Sequence, residues 1–263
     1  MANPMYRQIA EDLRAQIESG ALQPGRQLRT ELELREHYGA SRNTVRDAIK
    51  WLITLGLVET KPGQGTFVVQ KIVPFVTILT ADPKTGPGGD EVADYGAEVV
   101  AQLRKPDYSE PQVEIQKAPG VIAAQLHMAE GSQVISRHVK RYIDGTPWSL
   151  QTSFYPMGFA VKGADKLLVA GDIQVGAVRY LADNLGLQQV GYRDWITVRA
   201  PDPTEAVFFS LPQDGRVGVF ENFRTGFDQT GTPMRVTVTI FPTDRNQFIL
   251  NVGDVPTEEV SAE

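Results

Sequence analysis

The sequence predicts an α+β protein with two domains, on two observations. The first seventy residues contain three helix-period runs followed by two short strand-like runs. After residue 110, strand-like runs joined by tight turns and interrupted by short helices indicate an antiparallel sheet with helices on one face. Five of the nine residues in 82–90 are Gly or Pro, which is typical of a linker. We expect an N-terminal domain over 1–72, a linker over 73–91 and a C-terminal domain over 92–263.

The first two helices are indicated by apolar spacing and by end signals. A helix over 4–19 has one face formed at spacings of three and four by Tyr6, Ile9, Leu13 and Ile17. Thr30 and Glu33 have the spacing of a capping box, which begins a second helix over 30–38. Gly39 ends that helix, as glycine commonly does.

A third helix follows the second after a turn of three residues, 38–40, and Ser41 can cap it. Two short helices around a turn that contains Gly have the pattern of a helix-turn-helix. The third helix, 42–55, would bury Val45, Ile49 and Leu52. Two strands over 57–69, joined by a Pro-Gly turn, would form a wing. The N-terminal domain is therefore predicted to be a winged helix-turn-helix.

The outward face of the third helix has side chains suited to DNA. Arginine can bridge the O6 and N7 atoms of guanine, and asparagine the N6 and N7 atoms of adenine. Hydroxyl groups at a helix N-terminus suit phosphate contacts. The outward positions are Ser41, Arg42, Asn43, Thr44, Arg46 and Lys50, and the wing adds Lys61. On this pattern alone, a small helical domain with a solvated charged face is an equal alternative.

Four motifs in order make the reading specific. They are Ile-x-x-Gly-x-Leu-x-Pro-Gly (17–25), Ser-Arg-x-Thr-Val-Arg-x-Ala (41–48), Leu-x-x-x-Gly-Leu-Val (52–58) and Gly-x-Gly-Thr-Phe-Val (63–68). Over residues 5–69 the chain resembles the winged helix-turn-helix of the GntR family of bacterial transcription regulators. The resemblance implies DNA contacts by Ser41, Arg42, Thr44 and Arg46, with Gly65 at the wing tip in the minor groove.

One departure from the GntR pattern concerns the start of the second helix. The family usually has Leu-Pro-Ser-Glu-Arg-x-Leu there, and this chain has Leu-Arg-Thr-Glu-Leu-Glu-Leu. Leu32 replaces the arginine that commonly reads bases, and leucine cannot donate a hydrogen bond. Either the protein reads a different operator, or Arg29 or Arg35 reaches the DNA instead.

The C-terminal domain contains four further motifs: Arg137-x-x-x-Arg141-x-x-Asp144-Gly145-x-Pro147, Leu185-Gly186-Leu187, Leu211-Pro212, and Gly231-x-Pro233 before Asp244-Arg245. With these motifs the domain resembles the UTRA effector domain of the HutC subfamily of GntR regulators, which is similar in fold to chorismate lyase. The resemblance implies that a small-molecule effector binds here.

Alternation along the predicted strands gives a candidate effector site. If their polar faces line one cleft, its residues are Arg137, Arg141, Gln151, Arg224, Arg235 and Thr237. Several guanidinium groups would suit an anionic ligand. The alternative is an ordinary solvated face on which each arginine pairs with a carboxylate such as Glu221 or Asp194. Sugar-responsive relatives often have carboxylates at positions equivalent to Gln151 and Arg235, which this chain lacks.

Composition excludes several other classes. The 263 residues include no Cys and only three His, which argues against disulfides, thiol nucleophiles and a metal centre, and no cofactor is predicted. Residues 1–70 carry a net charge of +1 and residues 71–263 a net charge of −7. No apolar run is long enough for a membrane span and the N-terminus has no apolar signal core, so a cytoplasmic protein is expected.

We therefore predict a homodimeric repressor that a small-molecule effector releases from a palindromic operator. The candidate arginines favour an anionic effector. Dimerisation is expected through C-terminal aromatic residues, namely Trp148, Phe154, Phe208, Phe209 and Phe223. Two alternatives remain open: a plasmid-transfer or scaffold-type DNA-binding regulator that responds to a protein partner, and a lyase-like enzyme. The sequence shows no nucleophile–base pair for the latter, and a shared fold is only an analogy.

Overall fold

The computed structural model describes residues 4–69, 74–79, 93–212 and 215–250. The chain divides into two compact units, residues 1–72 and residues 73–263. Among the described residues, no helix is long and apolar enough to cross a membrane.

Unit 1 has three helices and a two-stranded hairpin, in the predicted order. The helices are α1 (Met5–Glu18), α2 (Glu31–Tyr38) and α3 (Arg42–Thr54), and the strands are β1 (Val58–Lys61) and β2 (Gly65–Val68). The predicted capping box of α2 is present, since the Thr30 hydroxyl accepts from the Glu33 backbone N–H and the Glu33 carboxylate accepts from the Thr30 N–H. Gly39 ends α2 with a φ of 60°, a left-handed conformation that favours glycine.

A single apolar cluster holds unit 1 together. Its buried members come from all three helices, the α1–α2 loop and both strands: Ile9, Ala10, Leu13, Leu28, Leu34, Val45, Ala48, Ile49, Leu52, Val58 and Val68. The predicted inner residues of α3 are among them, so the opposite side of α3 remains in solvent.

Unit 2 contains the remaining strands and helices. Its strands are β3 (Phe75–Leu79), β4 (Pro106–Tyr108), β5 (Gln112–Lys117), β6 (Gln133–Ile143), β7 (Thr146–Pro156), β8 (Gln189–Arg199), β9 (Val219–Asp228), β10 (Pro233–Pro242) and β11 (Asn246–Leu250). Its helices are α4 (Ala93–Ala101), α5 (Gly120–Gln125), α6 (Gly158–Val161), α7 (Ala177–Leu185) and α8 (Pro203–Phe208), and a 3₁₀ turn spans Asp165–Leu168.

Seven strands form an antiparallel sheet in the order β4-β6-β7-β10-β9-β8, with β5 also pairing with β6. The prediction of helices on one face only is wrong. On one face, α5 packs beside Phe154 and Val236; on the other, α7 and the 3₁₀ turn pack on Ile135 and Tyr155. Ile135 and Tyr155 lie on the same face of the sheet as Arg137 and Ser153. This face is therefore apolar at one end, where α7 and the 3₁₀ turn cover it.

The predicted linker needs a correction. Residues 75–79, inside the predicted linker 73–91, form β3, which pairs in parallel with β11, and Phe75 is buried. Residues 80–91 lie outside the described residues, so the linker prediction for them stays a prediction.

Two leucines, one in α3 and one directly after it, allow a matched test of the unit 1 core. Leu52 is fully buried and Leu55, directly after the helix, is exposed. We expect Leu52→Ala to lower the free energy of unfolding of unit 1 by about 3 kcal/mol, since it removes buried surface and leaves a cavity. Leu55→Ala should cost less than about 0.5 kcal/mol. Hydrogen-exchange protection of the α3 amides measures both, and equal losses in the two variants would contradict this core.

Candidate DNA-binding and effector sites

The N-terminal half of α3 presents cationic side chains to solvent. Ser41 caps the helix, since its hydroxyl accepts from the Thr44 N–H at 3.2 Å. The side chains of Arg42, Arg46 and Lys50 are 69%, 54% and 72% exposed. Apolar contacts inside unit 1 thus fix the helix, while these three cationic side chains remain accessible to a ligand surface.

The remaining predicted contacts near α3 take up different positions. Asn43 and Arg29 are exposed, as a DNA contact requires. Thr44 is half-buried, and its hydroxyl lies 2.8 Å from that of Ser41. These two hydroxyls therefore serve the start of the helix in the free protein.

Glu31 is a neighbour of the recognition residues that the sequence analysis missed. Its carboxylate accepts a hydrogen bond from Arg42 Nε at 3.2 Å and lies 3.8 Å from Arg46 Nε. The carboxylate therefore tethers two guanidinium groups on one surface and cancels part of their charge. The sequence feature that could have revealed this contact is the position of Glu31 as the first residue of α2, the helix before α3.

In the wing, both the backbone conformation and the packing of Gly65 require a glycine. Gly65 has a φ of 120°, and a Cβ atom there would lie 2.3 Å from Gln27 Nε2, which donates to the Gln64 carbonyl at 2.7 Å. Lys61, half-exposed at the other side of the hairpin, has its amine 5.1 Å from the Phe67 ring centre. The Gly65 backbone is thus fixed by unit 1 itself, whatever contact the wing makes with DNA.

In unit 2, strand register brings the predicted effector residues onto one face of the sheet. Arg137 pairs with Ser153, Ser153 with Thr237, and Thr237 with Arg224. The neighbouring rows on the same face contain Gln151 beside Thr239, Arg141 beside Ser149, and Arg235. All six predicted effector residues therefore share this face, which we call the polar face. Five of them are buried and Arg224 is half-buried.

Arg137 binds protein backbone in this structure. Its Nη1 donates to the carbonyl oxygens of Leu167 and Val169 at 3.0 and 2.9 Å, and Nη2 donates to that of Gly171 at 2.7 Å. A cavity of about 430 Å³ lies along the same loop, lined by residues from Lys166 to Val175. Arg137 thus fixes the wall of a cavity, and its direct contact with an effector stays a prediction.

Arg224 also has a protein partner. Its Nε and Nη2 each donate to Asp194 at 2.7 Å, and the guanidinium lies 4.0 Å from the Tyr192 ring centre. Burial lowers the pKa of Arg224, but the bonds and charge of Asp194 outweigh it and hold the pKa above its ordinary value. Arg235 Nε donates to Gln189 at 3.0 Å. The cleft is therefore less basic than predicted, because Asp194 neutralises Arg224, as the alternative anticipated.

Several buried side-chain atoms on the polar face have no hydrogen-bond partner among the described residues. Two of them belong to neutral groups: Ser149 Oγ, in the row of Arg141, and Asn222 Oδ1, in the row of Gln151 and Thr239. Buried polar atoms in folded proteins are almost always satisfied by protein, water or ligand. The row around Gln151, Thr239 and Asn222 therefore has the chemistry of a site for a hydrogen-bonding molecule.

The opposite face of the sheet has a smaller cavity of about 240 Å³ beside α8. Leu150, Val238 and Ile240 line it together with Thr152 and His138. His138 Nδ1 lies 2.9 Å from the Thr152 hydroxyl, and burial lowers the pKa of His138 below its ordinary value. Adjacent residues of β7, Gln151 and Thr152, thus point to two different candidate sites.

Comparison with known families agrees with both units. The description "Bacterial regulatory proteins, gntR family" matches residues 5–68, and the UTRA domain matches residues 101–247, more than half of the chain. The chain belongs to the GntR family. The two matches are the predicted ones, a family of bacterial regulatory proteins and the UTRA domain, and the relatives described next are named as transcriptional repressors.

Similar proteins are regulators from several bacteria. The mannosyl-D-glycerate transport/metabolism system repressor MngR of Escherichia coli K12 is 32% identical over 158 residues, which is 59% of each chain. The repressor NagR of Bacillus subtilis is 41% identical over 86 residues, 31% of this chain and 35% of NagR. The aligned stretches thus span about three fifths and one third of these relatives. The crystal structure of PhnF from Mycobacterium smegmatis shares the fold, with a TM-score of 0.55 and 20% identity over 93% of this chain and 99% of that one.

The Glu31 tether predicts a gain of DNA affinity when its charge is removed. Glu31→Gln frees the Arg42 and Arg46 guanidinium groups to bind phosphate, so affinity for an unrelated duplex should rise severalfold and its salt dependence should steepen. The matched control is Glu18→Gln, which breaks the Arg14–Glu18 pair of α1. Fluorescence anisotropy at two salt concentrations measures both variants. Unchanged or weaker binding by Glu31→Gln would contradict the tether.

Proposed function

We propose that this chain is a homodimeric repressor of the HutC type, which releases its operator when a small molecule binds the polar face. The printed names of MngR and NagR describe repressors, which supports repression here. A protein that acts on operator DNA works where the chromosome lies, which supports the expected cytoplasmic location. We also propose that the DNA-binding domain ends at residue 72, where the first compact unit ends.

The DNA-binding part rests on the exposed face of α3. Exposed Arg42, Asn43 and Arg46 occupy the first two turns, where a recognition helix meets base edges. Lys50, Lys61 and Arg29 are exposed and suit phosphate contacts. The net charge of +1 in residues 1–70 is compatible with this role because Arg42, Arg46 and Lys50 are all exposed on α3.

The effector part rests on one observation, the unsatisfied Ser149 Oγ and Asn222 Oδ1 inside a buried polar face. A sheet face that only met solvent would not bury Gln151, Thr237 and Thr239. A bound molecule with donors and acceptors would satisfy the groups that the fold leaves without partners.

The side chains of two neighbouring rows on the polar face suggest the kind of molecule. Gln151, Thr239 and Asn222 in one row and Ser149 in the next are neutral, and they suit hydroxyl or amide groups on a ligand. Arg141, buried in the same row as Ser149, suits one anionic group at the edge of the molecule. The proposed effector is therefore a polyhydroxylated compound with one negative group, which retains the expected anion but reduces it to a single charge.

Regulation then requires coupling between operator and effector. If effector binding weakens operator binding, operator binding must weaken effector binding by the same factor. A coupling of about 1–3 kcal/mol corresponds to about 5- to 150-fold in operator affinity. A protein partner in place of a small molecule is the alternative, and the polar face would then show no ligand response.

We propose the dimer contact at β8, one of the two edges of the seven-stranded sheet. Among the described residues β8 pairs on one side only, with β9, and its Trp195, Val198 and Val190 are exposed. Long exposed edge strands are aggregation sites that proteins normally cover. Antiparallel pairing with β8 of a second copy would cover this edge in a two-fold contact. Of the aromatic residues predicted for this role, Trp148, Phe154 and Phe209 are core residues, which corrects that prediction.

Two threonines on opposite faces test the effector site. Thr239 is buried on the polar face, whereas Thr152 lines the cavity on the other face. We expect Thr239→Val to remove a hydrogen bond to the ligand and to lower effector affinity about 10-fold, leaving operator binding unchanged. A thermal-shift screen of metabolites identifies the effector, and gel shifts with selected operator DNA measure its release.

The control variant is Thr152→Val, which should release operator like the wild type. If Thr152→Val loses the response and Thr239→Val keeps it, the effector site lies in the opposite cavity. If no metabolite stabilises the protein or releases operator, the protein-partner alternative is favoured.

The dimer contact predicts a sharp effect of charge at β8. Trp195→Glu should place two like charges across the two-fold contact and shift the full chain to monomer at micromolar concentration. Val207→Glu on α8, where Val207 is 76% exposed, is the matched control and should remain dimeric. Sedimentation velocity separates the species. A dimer that survives Trp195→Glu and Val198→Glu together would exclude this edge as the contact.

A further inference from the structure

Leu32 is the most exposed large apolar side chain among the described residues of unit 1. It is 58% exposed, whereas Leu28 and Leu34 on either side are 4% and 1% exposed. Leu32 is the second residue of α2 and contributes nothing to the buried cluster of unit 1. The capping box already satisfies the start of the helix through Thr30 and Glu33. Leu32 therefore contributes neither to the core of unit 1 nor to the capping of α2.

The Glu31 tether fixes where Leu32 lies. Glu31 contacts both Arg42 and Arg46, so the first turn of α2 borders the first two turns of α3. The residue next to Glu31 therefore stands at the margin of the surface on which the exposed arginines project. A duplex that brings base edges to Arg42 and Arg46 brings its major groove to this margin.

An exposed leucine at this margin has one chemical counterpart in the major groove. It can neither donate nor accept a hydrogen bond, so it cannot bind the polar edges of guanine, adenine or cytosine. The 5-methyl group of thymine is the apolar group that B-DNA presents there, and apolar side chains contact it.

We propose that Leu32 is a specificity-determining residue that reads a thymine methyl group in each operator half-site. This inference rests on the DNA-binding function proposed above and adds one base requirement to it. Contact with the methyl group removes apolar surface of both partners from water. Burial of one such group corresponds to about a fourfold change in affinity.

Exchange of thymine for deoxyuridine tests the contact, because it removes only the methyl group. The preferred site is first obtained by selection from random duplexes with the full chain. Each thymine of that site is then replaced singly by deoxyuridine, and affinity is measured at fixed salt. We expect one position per half-site at which wild-type affinity falls about fourfold. At that position Leu32→Ala should bind the thymine and deoxyuridine duplexes equally.

Two further variants sharpen the result. Leu55→Ala, an exposed leucine directly after α3, should retain the wild-type sensitivity to deoxyuridine. Leu32→Arg should select guanine where the wild type selects thymine, since arginine bridges the O6 and N7 atoms of guanine. Because Leu32 is exposed, melting temperatures of both Leu32 variants should match that of the wild type.

Two outcomes would overturn the proposal, and they are distinguishable. If a specific site is selected but Leu32→Ala keeps every deoxyuridine effect, or the wild type shows none, Leu32 is a solvated leucine and DNA-binding function stands. If no sequence is selected at all, the proposed operator binding fails together with the inference.

Discussion

The central constraint on unit 2 is the need of buried polar atoms for partners. The sheet directs arginine, glutamine, threonine and serine side chains to a face that is closed to solvent. Leaving such groups unsatisfied costs more than their bonds contribute. The Nη1 and Nη2 atoms of Arg137 meet this constraint with backbone carbonyls, and Arg224 meets it with a carboxylate. Buried atoms that lack a partner among the described residues, such as Ser149 Oγ and Asn222 Oδ1, mark where a ligand can form hydrogen bonds.

Unit 1 separates fold and recognition by sides of the same helix. The buried side of α3 contacts α1, α2 and the hairpin, so the helix is held in position without help from its cationic side. Capping by Ser41 then fixes the start of the helix. Recognition residues on such a rigid element need less ordering when DNA binds, which preserves binding free energy.

Sequence reasoning reached the features that depend on local chemistry. Thr30 with Glu33, Ser41 and Gly39 mark helix ends through bonds to residues three or four positions away, so spacing alone reveals them. The shared face of Arg137, Gln151 and Thr237 follows from alternation plus strand pairing. The partners of those side chains do not. Arg137 bonds to carbonyls about thirty residues away, and Trp148 is buried against Asn246, almost a hundred residues away. The spacing of apolar and polar residues does not encode contacts between residues so far apart in the chain.

The pairing of β3 with β11 joins the first described strand of unit 2 to the last. During synthesis the chain emerges from its N-terminus, so unit 1 can complete its core while unit 2 is still being made. Strand β3 has to wait until residues 246–250 have left the ribosome, because within the described chain β11 is its only strand partner. Contacts between distant segments form late and slowly. A nascent regulator of this design can therefore acquire a folded DNA-binding head well before the domain that controls it is finished.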